Sequence, residues 1–165
     1  MAEFDPVSIF FLYAPEDEAL RRALEKHLVR LKREGLVSSW NDRLVSPGAE
    51  WRSELERKLD EARIILALIS ADFLASDAHD DEMHRALKRH RDGKATVLPV
   101  LARPVDWTLG PFYDPQPINE KPLTSYEDLD EGLASVAAEI RTKIREIARR
   151  PANPRRAHRL HAPTR

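Results

Sequence analysis

Three consecutive acids, Asp80, Asp81 and Glu82, stand where an apolar run gives way to a helical pattern. A carboxylate so placed can either stabilise a developing positive charge or simply gain from a helix N-terminus, worth under about 1 kcal/mol. Arg43, in the polar loop NDRLVSPG, offers a guanidinium fork suited to a pyrophosphate; it could equally pair with Asp42 or Glu50. Asp17 follows the first apolar run and suggests a phosphoacceptor, but such a site needs a further acid after the third run, where Ser70 and Ala71 stand. YAPEDE occupies the place of a glycine-rich phosphate loop, which removes dehydrogenase and kinase readings. His79, His84 and His90 lack the i, i+4 pairing of a helical metal site, and no cysteine exists to supply a thiolate ligand or nucleophile. No metal is assigned.

These residues need a scaffold, and 165 residues suit one core. Hydrophobic residues at 42% and charged residues at 33% describe a solvated globular surface around it. Val7 to Tyr13 (VSIFFLY) and Arg63 to Ser70 (RIILALIS) are apolar enough for parallel strands buried on both faces. Leu36 to Trp40 and Ala95 to Leu101 add two more. Helices are predicted over Glu16 to Glu34, closed by Gly35, over Asp80 to Arg91, closed by Gly93, and over Tyr126 to Arg149. Ser46 with Pro47 should cap another, in which Trp51, Leu55 and Leu59 form one stripe. Ala102 to Lys121 reads as a long loop with room for one helical turn, and Pro122 to Thr124 as a short fifth strand.

Strands alternating with helices predict an α/β, three-layer, flavodoxin-like fold with a five-stranded parallel sheet in the order 2-1-3-4-5. Ligands of such sheets sit beyond the carboxyl ends of the strands where the order reverses, here between strands one and three. Residues 1–149 form the domain in this reading. Residues 150–165 form a basic tail or linker, predicted to be disordered, because six arginines and no acid fall within 149–165. Without those six, 21 basic residues face 28 acids, about −7 for the body, which argues against a domain-wide nucleic-acid surface. No apolar run reaches the roughly 20 residues of a membrane span, and MAEFDP lacks a basic secretory start, so a cytoplasmic location without membrane contact is expected.

Four segments resemble the bacterial TIR domains: IFFLYAPEDE the first-strand box, WNDRLVSPGAEW the BB loop and following helix, IILALISADFLASD the third strand and its exit, and VLPVLARPVDW the fourth. The likeness runs from about Val7 to Ile147. It implies a domain that hydrolyses or cyclises NAD, taken as substrate and not as a cofactor, or one that serves as a non-enzymatic TIR–TIR adaptor. Self-association with other TIR domains, a bacterial defence role and room for a sensor domain after Arg165 are likewise implied. The family's catalytic glutamate matches Glu82 in SDAHDDEM. Its cleft residues match Tyr13, Ala14, Asp42, Arg43, Pro47, Gly48 and Trp51, with Ser70 beneath; on spacing alone, Trp51 reads as core packing. Leu12 stands where the family commonly has serine, and Ala78 and His79 replace an aromatic and a small residue. A nucleoside 2-deoxyribosyltransferase-like enzyme, with a shared fold and a catalytic carboxylate, is a third expectation.

Overall fold

The computed structural model describes residues 6–41, 51–111 and 114–148. Four strands form a parallel sheet: β1 Val7–Leu12, β2 Val37–Asn41, β3 Ile64–Ile69 and β4 Thr96–Leu101, in the order β2-β1-β3-β4. The helices between and after them are α1 Glu18–Arg33, α2 Trp51–Glu61, α3 Ala71–Ala75, α4 Asp77–Arg91 and α5 Leu129–Ala148. β3 pairs with β1 on one side and β4 on the other, and all six of its residues are buried. The expectation of a doubly covered central strand holds, and strand order reverses between β1 and β3 as predicted.

The period of two along each strand sorts side chains into two cores. Ile9, Phe11 and Tyr13 join Leu66, Leu68 and Val100 against the stripes of α1 and α5. Phe10, Leu12 and Ala14 join Ile65, Ala67 and Ile69 against α2, α3 and α4. At about 1.5–3 kcal/mol for each large apolar side chain withdrawn from water, these two layers dominate the folding free energy. α1 stops at Gly35 and α4 at Gly93, both at positive φ. In each the residue after the glycine donates back to the carbonyl five residues earlier, Leu36 to Leu31 and Lys94 to Arg89.

Where a fifth strand was predicted, the chain makes a 3₁₀ turn, Leu123–Ser125. The edge of β4 is nevertheless covered. Ile118 N–H donates to the Pro99 carbonyl, Thr124 N–H to the Ala102 carbonyl, and the side-chain amide of Asn119 takes both the N–H and the carbonyl of Leu101, at 2.8 and 3.0 Å. A side chain therefore does what a strand backbone would have done. Pro115, Pro117 and Pro122 supply no N–H to a ladder, and Pro99 itself is tolerable only on an edge strand. The last helix also begins later than predicted, so Leu129 is exposed at 38% and takes no part in its apolar face.

Exposed Arg85 of α4 grips Asp60 of α2 through two nitrogens, and this hydrogen-bonded pairing holds the Asp60 carboxyl below its ordinary value. With both partners nearly half exposed, the pair contributes under about 1 kcal/mol. Arg89 does more, donating to the carbonyls of Leu59, Ala62 and Lys94 at the end of α2 and the start of β4. None of the described helices is long and apolar enough to cross a membrane.

Candidate active site

β1 and β3 deliver their carboxyl ends side by side, and the chain leaves each through a tight turn. After β1, Asp17 N–H closes a turn on the Ala14 carbonyl, placing the Asp17 carboxylate under the sheet edge with no exposed surface. After β3, fully buried Ser70 caps α3, its Oγ accepting from Phe73 N–H at 3.2 Å and donating to Asp17 Oδ2 at 2.5 Å. Arg103, just beyond β4, donates through Nε to Asp17 Oδ1 at 2.7 Å. One buried carboxylate thus ties together the exits of three strands. The sequence suggests Asp17 only as a phosphoacceptor, and no local signal points to Arg103, 86 residues away along the chain.

The helix carrying Glu82 begins at Asp77, three residues earlier than predicted. Asp77 and Asp80 occupy its first turn, and Glu82 falls in the second, where the benefit of the helix dipole has largely decayed. The acidic triplet divides by face. Asp80 and Asp81 are exposed, and Asp80 lies 3.5 Å from the exposed His84. The Glu82 side chain keeps only 11% of its surface in contact with solvent. His79, three residues back and on the same helix face, lies 3.4 Å from Glu82 Oε2 through Nδ1. Its own ring is 2% exposed and stacks on Phe73 with centroids 5.0 Å apart.

Contacts therefore run from Arg103 through Asp17, Ser70, Phe73 and His79 to Glu82. The departure at positions 78 and 79 puts a buried ring where the family pattern has a small residue. Leu12, at the serine position, faces the α2–α4 side and is fully buried. Ala14 shares that face. Tyr13 does not: its ring packs on the α1–α5 side under the Arg21 guanidinium, and its hydroxyl donates to Glu18 at 2.7 Å. Burial pushes the Glu18 carboxyl up, but hydrogen bonds from Tyr13, Arg21 and Arg22 outweigh it and leave the group below its ordinary value. Ser70 has no surface to offer a ligand, so its place here is support beneath the crevice. Asp42, Arg43, Pro47 and Gly48 lie outside the described residues, as do Ser46 and the side chain of Trp51.

A cavity of about 640 Å³ opens between α1 and the start of α5, lined by Glu16, Arg22, Lys26, His27 and Asp130. It shares no residue with the Glu82 neighbourhood, and chemistry rather than volume identifies the site. No group of three or more His, Asp or Glu side chains suited to a metal ion occurs among the described residues.

Comparison with known proteins agrees with the architecture. The profile of the TIR domain family matches residues 9–142. The uncharacterized protein y4lF of Sinorhizobium fredii is 39% identical over 150 residues, covering 89% of this chain and 46% of that protein. This chain thus spans about half the length of the curated relative it matches. Among solved structures, the TIR domain of the Toll-related receptor TRR-2 from Hydra magnipapillata is 17% identical, with a TM-score of 0.55 over 83% of this chain and 97% of that one. The CMP N-glycosidase BcmB of Clostridium botulinum is 14% identical, with a TM-score of 0.48 over 79% and 98%.

Proposed function

Because this chain belongs to the TIR domain family, we propose that it cleaves the bond between nicotinamide and ribose in NAD, with Glu82 as the catalytic carboxylate. The observation that supports this reading is the inward Glu82 side chain, steered by a buried histidine on the helix that follows β3. A carboxylate with a merely solvating role would resemble Asp80 and Asp81, which face water.

The chemistry asks little more of the protein. Nicotinamide departs from a cationic pyridinium and takes the bonding electron pair with it as a neutral molecule, so the leaving group needs no general acid, unlike an ordinary glycoside. Positive charge then develops at the ribose. A carboxylate held nearby with little water around it stabilises that charge far better than one in bulk solvent. Water attacking the ribose carbon yields ADP-ribose and releases a proton; attack by a hydroxyl of the substrate itself would give the cyclic product.

Activity is proposed to rise when copies assemble, because TIR-like cleavage sites are usually completed by a neighbouring domain. If NAD stays intact under forced assembly while partner binding depends on Pro47, an adaptor role replaces the enzymatic one. Nicotinamide release from NAD by a concentrated sample is the direct assay.

His79 enters this proposal as a positioning residue. Its Nδ1 lies 3.4 Å from Glu82 Oε2, placed to donate when that nitrogen carries the proton, and the ring is itself fixed by the stack on Phe73. His79→Phe keeps the stack and loses the donor. It should lower kcat roughly tenfold, the equivalent of about 1.4 kcal/mol, with KM for NAD little changed. Unchanged kcat in a folded variant would remove His79 from the mechanism.

A further inference from the structure

Arg85 and Arg89 commit their guanidinium groups to contacts within the fold. Arg89 places its terminal nitrogens on three backbone carbonyls, and Arg85 closes a two-point fork on Asp60. Arg103 differs. Its Nε is committed to Asp17, but neither terminal nitrogen has a hydrogen-bond or ion-pair partner among the described residues, and its side chain is 43% exposed. Orientation has been supplied without saturation.

The cost of that orientation is visible. Asp17 is a carboxylate with zero exposure, and a buried charge is expensive unless paired and hydrogen-bonded. Asp17 receives Ser70 on one oxygen and Arg103 on the other. The Ser70 hydroxyl is in turn fixed by Phe73 N–H. Arg103 is tied to the sheet by its backbone as well, since its N–H and that of Ala102 both approach the Ile69 carbonyl. The cation is consequently anchored at the carboxyl edge of the sheet, where ligands of such folds lie. What it presents outward is a planar edge of N–H donors, the geometry that suits paired phosphate oxygens.

We propose that Arg103 binds the pyrophosphate of the dinucleotide, with Asp17 as its positioning residue. The identity of the ligand rests on the NAD-cleavage reading; the anion-binding role of Arg103 does not. The contacts that join Arg103 to Glu82 through Asp17, Ser70, Phe73 and His79 place both on one connected support.

Calorimetric titration with ADP-ribose and with adenosine tests this without requiring turnover. Arg103→Lys is the decisive variant, because a lysine ammonium can keep the pair with Asp17 and so preserve the fold, yet has no second edge to offer. Arg103→Gln, checked for folding by circular dichroism, serves as a neutral companion. ADP-ribose affinity should fall roughly tenfold or more in Arg103→Lys, with adenosine binding unchanged. Equal ADP-ribose binding by wild type and Arg103→Lys, no ADP-ribose binding by wild type, or an equal loss for both probes would each overturn the proposal. Arg103-dependent binding of ADP-ribose by a protein that leaves NAD intact would defeat the cleavage reading alone.

Discussion

Replacing Glu82 with glutamine should lower NAD turnover by about 10²–10³-fold, the scale on which removal of one preorganised electrostatic group acts. Glutamine has nearly the same shape and can still take a hydrogen bond from His79, so the fold and the KM for NAD should change little. The charge is what disappears. A loss confined to kcat would mean that the carboxylate acts on the transition state more than on the bound ground state. Undiminished turnover in purified, folded Glu82→Gln would transfer the chemistry to another residue, and both other acids of the 80–82 triplet are exposed.

The second large effect is on stability. Asp17→Ala should lower it by about 3 kcal/mol, because it leaves the buried Ser70 hydroxyl without its acceptor and Arg103 without its anchor. For a chain of this length that corresponds to a fall of roughly 6–12 °C in Tm. Asp17→Asn, which keeps the shape and one acceptor oxygen, should lose about half as much. Thermal unfolding of the three proteins at neutral pH checks this. Equal midpoints would show that the junction of the three strand exits is held by packing alone.

Both predictions rest on features of unequal legibility. The apolar segments of β1, β3 and β4 stand out because burial on both faces forces a near-continuous hydrophobic run, and Gly35 and Gly93 mark helix ends because the αL turn there disfavours other residues. The face of each strand residue could also have been read. Parity places Leu12 and Ala14 together and Tyr13 opposite them, yet the family resemblance grouped Tyr13 with the cleft. The missing fifth strand was less accessible, since nothing local says that the Asn119 amide will stand in for a backbone. Nor did helical spacing reveal that α4 starts at Asp77, because its first turn, DAHD, carries no apolar stripe.

The site shows the same division. Glu82 was singled out because it matched a family pattern, and the split of the triplet into one inward and two outward carboxylates follows from helix geometry once α4 is placed. Arg103 and the supporting role of Asp17 are not legible in the sequence for a different reason. Their contact joins the exit of the first strand to that of the fourth, and only the closed sheet brings them within 2.7 Å. His79 is a departure from the family pattern in the sequence; its value as a buried ring between Phe73 and Glu82 is a tertiary property.

Cleavage of NAD by Glu82 is tested by nicotinamide release when the protein, held at high local concentration, is offered NAD and NADH in parallel. Many nicotinamides per chain are expected from NAD and none from NADH, whose uncharged dihydropyridine is a poor leaving group. NAD left intact at every protein concentration would contradict it.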